Sequence, residues 1–383
     1  MMKILGITSI RSDYDLLSSL YTKLHEDHEI ELKLLVSGAH LSKNFGFSKK
    51  QIESDNLDIL LEIETLISSD TPKSRLKTAS ILLQNSIDVV SFFNPDLILY
   101  AGDREDVIIG GLLSMYLNIP SIHFYGGDHE KDMGNDTYIR HATSKLSSLH
   151  FVSNEMHKKR LISLGESEKR IFNIGSISLD RLFKYNKLNI QEILSRNIPL
   201  NYALMIFHPM ENEDSKMIFK EILSILKEKK IFTIVSYPNS DPNHQGIIEL
   251  IEEFINYKDE FYFYKNLSRD VYLTIFNNCQ FIIGNSSAGI YEAATLKKFA
   301  VNVGLRQKDR LKSDNIIYCS SNKTDIEDAI NFVINPNNKN ILDNVVNPFG
   351  DGHSSEKAYL LIKKIDFKNF LIKDEDPLEL INE

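Results

Sequence analysis

Short apolar runs rich in β-branched residues alternate along the chain with longer stretches whose apolar positions recur every three to four residues. The first kind reads as strand, the second as amphipathic helix. In the first half the pattern predicts strands over Lys3–Ser9, Glu31–Ser37, Asp96–Ala101, Ser121–Tyr125, Leu149–Val152 and Arg170–Ile174, with helices over Tyr14–His25, Ala79–Phe93 and Val107–Leu117. The rhythm restarts with strands over Tyr202–His208, Ile231–Ser236, Glu260–Tyr264, Gln280–Ile283, Ala300–Val303 and Ile316–Cys319. Helices are predicted there over Asp214–Lys229, Gly246–Asn256, Arg269–Asn277, Ala288–Leu296 and Thr324–Ile334. Such alternation marks βαβ units around parallel sheets. Periodicity weakens over Asp180–Leu200, where Lys, Asn and Pro collect. The expected architecture is therefore α/β, with two Rossmann-like doubly wound domains, 1–180 and 181–365, facing across a cleft that is the default ligand site. Ser354–Leu371 reads as a helix that crosses back to the first domain, so 366–383 is its end plus a frayed acidic tail, Asp374–Glu383.

Composition narrows the function classes. At 383 residues, 42% hydrophobic and 25% charged, the chain is too long for one ordinary core and too apolar for disorder. Its net charge is −9, from 53 acidic and 44 basic residues, with no long run of either sign. That argues against nucleic acid or an anionic membrane held by bulk charge. Cys279 and Cys319 form no CxxC pair and no His/Cys cluster accompanies them, which speaks against a disulfide framework or structural zinc and for a reducing compartment. Met1–Ser9 lacks the apolar core and cleavage site of a signal peptide, and no apolar stretch reaches the ~18 residues of a membrane span. A soluble, cytoplasmic protein is expected.

Candidate chemistry gathers where strands end. Gly102-Asp103-Arg104-Glu105-Asp106 follows a strand and opens a helix, placing an acid or base and a phosphate clamp at the carboxyl end of the sheet. It reads equally as an N-cap Asp with a solvated Arg. Tyr125-Gly126-Gly127-Asp128 ends the next strand; Asp132 and Asp136 follow, then Tyr138-Ile139-Arg140-His141. Gathered carboxylates suit proton transfer at carbon, because like charge and burial separate their pKa values; the alternative is an acidic solvent loop. His208, before Pro209, and Asp180, in Gly175-Ser176-Ile177-Ser178-Leu179-Asp180, are either cleft residues or ordinary turn residues. Gly284-Asn285-Ser286-Ser287-Ala288-Gly289 joins a strand to a helix, a turn that binds phosphate through backbone N–H groups or simply caps the helix. Glu292, one turn on, is placed to reach ribose hydroxyls, and Gly304-Leu305-Arg306-Gln307-Lys308-Asp309-Arg310 to neutralise a diphosphate or to lie solvated.

Taken in order, these motifs resemble the hydrolysing UDP-N-acetylglucosamine 2-epimerase family of sialic-acid and legionaminic-acid biosynthesis, which has the GT-B fold. The matching pieces are Thr8-Ser9-Ile10-Arg11-Ser12-Asp13-Tyr14, Gly102-Asp103-Arg104, Gly126-Gly127-Asp128, Ile139-Arg140-His141 with Thr143-Ser144-Lys145-Leu146-Ser147, Asn173-Ile174-Gly175-Ser176, Phe207-His208-Pro209, and the turns at Gly284 and Gly304.

The resemblance implies a cytoplasmic homo-oligomer, dimer or tetramer, that serves cell-surface polysaccharide synthesis. Its substrate is a nucleotide sugar, with no nucleic-acid or membrane partner, no cofactor and no metal. Anti elimination of the nucleotide to a 2-acetamidoglycal, then syn addition of water, gives the free sugar inverted at C2. By the same resemblance, Asp103, Asp128, Asp136, more weakly Asp180, and His208 are catalytic. Arg11, Arg104, Ser286, Ser287, Glu292 and Arg306 bind the nucleotide. Tyr125 and Asp128 depart from the family's His-Gly-Gly-Glu, and Asp15 replaces a small hydroxyl residue. These departures bring the UDP-linked 2,4-diacetamido-2,4,6-trideoxy hexose into view beside UDP-N-acetylglucosamine. A GT-B glycosyltransferase, a non-hydrolysing epimerase and a non-catalytic nucleotide-sugar sensor are the competing readings.

Overall fold

A computed structural model describes residues 1–43, 47–67, 72–129, 135–210, 213–238, 244–265, 267–307 and 311–380. The chain forms two compact units, Met1–Asp180 together with the chain from Gly352, and Arg181–Asp351.

The first unit holds β1 (Met2–Thr8), β2 (Ile30–Ser37), β3 (Ile59–Ile63), β4 (Leu97–Ala101), β5 (Ser121–Phe124), β6 (Leu149–Val152) and β7 (Ile171–Asn173), in the order β3-β2-β1-β4-β5-β6-β7. The second holds β8 (Tyr202–Ile206), β9 (Phe232–Ser236), β10 (Phe261–Tyr264), β11 (Phe281–Gly284), β12 (Phe299–Val303) and β13 (Ile316–Cys319), ordered β10-β9-β8-β11-β12-β13. Every pairing is parallel.

Both sheets are covered on two faces, so their central strands are apolar almost throughout, as Leu-Ile-Leu-Tyr-Ala of β4 illustrates. Alternate side chains divide between two cores. Ile4, Leu97 and Leu99 pack with Leu17, Leu20 and Leu24 of the helix Arg11–Glu26, while Leu5, Ile98 and Tyr100 pack on the other face with Val90, Val107 and Leu113. Strand order changes direction between β1 and β4 in one sheet and between β8 and β11 in the other. Each unit thereby opens a crevice at the carboxyl ends of its central strands, where ligands of open α/β sheets bind. Asp103 and His208 follow those strands directly.

Several expectations change. β3 was not predicted; it is an edge strand with four of its five residues only partly buried or exposed. β8 stops at Ile206 instead of His208, and the helix expected over Ala288–Leu296 is a single turn, Ala288–Tyr291. The helix starting at Ser354 ends at Lys364 and is followed by a short 3-10 turn, Phe367–Phe370. Its apolar stripe, Ala358 and Ile362, enters the first core, so the second unit ends at Asp351 where the sequence placed its end at 365. The tail is anchored at Glu375, which pairs with the buried Arg170 at 2.8 Å. Among the described residues no helix is long and apolar enough to cross a membrane.

Candidate active site

In the first unit the chain leaves β4 through Gly102 at φ +96°, a conformation that favours glycine, and Arg104 then caps the helix Glu105–Leu117. Behind this turn the fully buried His123 lies 2.9 Å from Gly102 O through Nε2, with Ser144 Oγ 3.0 Å from its Nδ1. Burial holds this imidazole down at about 3, so it is a neutral strut. The next strand leaves through Tyr125 at φ +62°, strained for a bulky side chain. Its hydroxyl accepts from Ser178 N at 3.2 Å and lies 3.3 Å from Ser176 Oγ, which ties the strand end to the loop after β7.

These two exits bring Asp103 and Asp128 to one cation. Arg140, on the helix Asn135–Leu146 and only 8% exposed in its side chain, bonds Asp103 through Nη2 and stands 3.2 Å from Asp128 through Nη1. Asp136, one turn earlier on the same helix, lies 3.3 Å from Arg75, which also pairs with Glu105. Asp103 and Asp128 thus share one guanidinium, while Asp136 and Glu105 share another, that of Arg75.

Beside them opens a cavity of about 1080 Å³, lined among others by Ser9, Arg11, Ser48, Arg75, Arg104 and Asp106. Arg11 is largely exposed and lies 3.8 Å from Asp15. A buried polar chain floors the cavity. Ser9 Oγ donates to Asp106 at 2.7 Å, and Asp13 takes the backbone N–H groups of Ser9 and Ile10 at 2.9 and 3.0 Å. Thr8 bonds both Asp13 and His40. Burial first, then the charge of Asp13, pushes the Asp106 carboxyl up to about 8.

Asp180 stands apart in its role. Its oxygens accept the N–H groups of Ser354 and Ser355 at 2.9 and 2.6 Å, and it is buried. Asp180 thereby caps the N-terminus of the helix Ser354–Lys364.

In the second unit, Gly284 at φ +137° lets β11 pass so close to β8 that a Cβ would meet Ile206 O at 2.0 Å. The buried Asn285 then accepts from His208 N at 2.7 Å and donates to His208 O at 2.8 Å. Its amide replaces the strand ladder beyond Ile206 and fixes the backbone that carries His208 next to Ser286 and Ser287. Ser286 Oγ accepts from Ala288 N at 3.3 Å, and Ser287 caps the following turn without a side-chain bond. Glu292 takes a hydrogen bond from Tyr272 at 3.2 Å; burial pushes its carboxyl up while Arg269 draws it down. Arg306 is exposed on the loop after β12. Lys308, Asp309, Arg310 and, in the first unit, Asp132 lie outside the described residues.

The structure brings Asp103 and Asp128 together on Arg140 and leaves Asp136 on Arg75; separately, Asn285 ties the His208 backbone to the turn of Ser286 and Ser287. Arg140, Arg75, Asp106 and Asn285 had no role assigned from sequence; Arg140, Asp106 and Asn285 lay inside recognised motifs, but their partners are distant in the chain. Among the described residues no group of three or more His, Cys, Asp or Glu side chains is arranged to hold a metal.

Two doubly wound parallel sheets, each with its polar motifs at the switch point, define a protein of the GT-B class. The UDP-N-acetylglucosamine 2-epimerase family model matches residues 22–363, and the chain belongs to that family. A Legionella pneumophila protein named UDP-N,N'-diacetylbacillosamine 2-epimerase (hydrolyzing) is 33% identical over 370 residues, covering 95% of this chain and 96% of its own. A Campylobacter jejuni protein named GDP/UDP-N,N'-diacetylbacillosamine 2-epimerase (hydrolyzing) is also 33% identical, over 84% of this chain and 85% of its own. The Neisseria meningitidis UDP-GlcNAc 2-epimerase, solved bound to UDP-GlcNAc, shares the fold at a TM-score of 0.79 and 17% identity, covering 95% of this chain and all of that one.

Proposed function

We propose that this protein is a hydrolysing 2-epimerase that converts a UDP-linked 2-acetamido sugar to UDP and the free sugar inverted at C2. The observation that carries the reading is Arg140 joining Asp103 to Asp128, with Asp136 on the same helix. The shared guanidinium holds the two carboxylates in place at the strand ends, as a base for a carbon-bound proton must be held.

In this mechanism a carboxylate of the set removes the C2 proton while the C1–O bond breaks on the opposite face. That bond's electron pair leaves with the β-phosphate of UDP, and a 2-acetamidoglycal remains. Water then adds across the double bond from one face, oxygen to C1 and a proton to C2, which completes the inversion. In the second unit His208, the Gly284–Gly289 turn and Arg306 take the diphosphate, and Glu292 reaches toward the ribose.

Of the two sugars considered, the 2,4-diacetamido-2,4,6-trideoxyglucose is the proposed substrate and N-acetylglucosamine the comparator. Two relatives at 33% identity carry diacetylbacillosamine in their names. The cavity beside Arg104 adds Ile10, Ile67 and Leu82 to its polar wall, room for an extra acetamido methyl and a deoxy carbon. Incubation of each UDP-sugar without an acceptor, followed by NMR of the products, tests the reading. Release of UDP with a C2-inverted free sugar supports it; an uninverted sugar, or a sugar still linked to UDP, overturns it.

A further inference from the structure

Asp128 is gripped from a second side by a residue outside every motif. His157 lies in the first turn of the helix Glu155–Ser163, and its Nε2 is 3.2 Å from Asp128 Oδ1, while Arg140 Nη1 is 3.2 Å from Oδ2. The His157 side chain is only 8% exposed. Its Nδ1 is buried without a hydrogen-bond partner among the described residues, so the ring proton belongs on Nε2, where it donates to the carboxylate.

The backbone holds this contact in place. Asn154 caps the helix by accepting His157 N at 2.9 Å. The His157 carbonyl presses so closely on Gly127, at φ +80°, that a Cβ there would sit 2.3 Å from it. From the next turn, Arg160 donates to Gly127 O. One helical turn is thus docked on the loop that presents Asp128.

We propose that His157 is a positioning residue for the C2 proton step, orienting Asp128 and stabilising its carboxylate form. The step rests on the epimerase reading above; the contact does not. Around Asp128 stand Arg140 and His141 from the helix Asn135–Leu146, and His157 and Arg160 from the helix Glu155–Ser163. His129 donates its backbone N–H to Asp128 Oδ1 at 2.9 Å, and Asp103 lies across Arg140. Loss of one side-chain donor from this shell raises the carboxylate's pKa, and the other cations limit how far.

The test compares His157→Leu, which removes the donor, with His157→Gln, whose amide nitrogen can take the place of Nε2, both in the full chain and both checked for folding by calorimetry. His157→Leu is expected to lower kcat about ten- to a hundredfold with KM within about threefold, and to move the acid limb of the pH profile up by about one unit. His157→Gln is expected to recover most of kcat and the original limb. A folded His157→Leu with wild-type kcat and limb, or a Gln variant as impaired as Leu, overturns the proposal. A carbon-13 NMR titration of the Asp128 carboxyl reads the contact without turnover. If the wild type makes no C2-inverted sugar, the epimerase reading falls, and this titration still decides the role of His157: a raised midpoint in His157→Leu supports it and an unmoved one overturns it.

Discussion

Replacing Arg140 with methionine removes the guanidinium shared by Asp103 and Asp128 and leaves the apolar stem in place. Side-chain exposures are 8% for Arg140, 17% for Asp103 and 24% for Asp128, so the pair is largely buried. Breaking a buried ion pair from one side costs about 3–5 kcal/mol, and the partial access of water to the two carboxylates points to the lower end. A loss of about 3 kcal/mol lowers Tm by about 6–12 °C in a unit of this size. The two carboxylates then repel each other, and one takes up a proton that the reaction needs it to lack. The expected loss in kcat is about 10²–10⁴-fold. Arg140→Lys is expected to fall between, because an ammonium is a point charge that satisfies one carboxylate while a planar fork satisfies two. UDP release measured on calorimetrically folded protein gives both numbers. Arg140→Met with an unchanged Tm and wild-type kcat, or a lysine variant equal to wild type, refutes the shared-cation geometry.

Asp180→Ala is expected to cost about 1–2 kcal/mol as a lost helix cap while the folded fraction keeps its kcat; a large fall in kcat at unchanged Tm returns Asp180 to the catalytic set. Asp106, pushed up to about 8, keeps in the folded state a proton that the unfolded chain releases near pH ~4. Its contribution to stability is full below that value and is lost as pH rises through 8, so Asp106→Asn is expected to gain more Tm over wild type at pH 9 than at pH 5. A difference independent of pH contradicts this. Asn285→Ala removes both bonds to the His208 backbone and is expected to cost about 2–3 kcal/mol and to weaken UDP binding by calorimetry. Unchanged stability and affinity would dissociate Asn285 from the nucleotide turn.

Much of this fold was legible because parallel strands buried on both faces announce themselves as apolar runs. Leu149–Val152 and Ile316–Cys319 match their predicted bounds. β3 was missed because an edge strand is half-exposed and Leu-Leu-Glu-Ile carries no continuous apolar signal. β8 was drawn too long because no local pattern reveals that the Asn285 amide, 77 residues away, takes over the bonds of His208. The carboxylates could be singled out by type and by their place after strands. What gathers them could not, since Arg140 meets Asp103 across 37 residues and a helical pattern does not say which cation faces inward. The bonds of Asp180 were illegible for the same reason: its partners, Ser354 and Ser355, lie at the other end of the chain.

The central claim is that a base removes the C2 proton and that water later restores one from solvent. The direct measurement is the reaction in deuterium oxide with the UDP-linked diacetamido trideoxyglucose, read by proton NMR and mass spectrometry of the sugar released. The account predicts free UDP and a C2-inverted sugar carrying one deuterium at C2. An inverted product that retains its original C2 hydrogen, or a product of unchanged configuration, contradicts it.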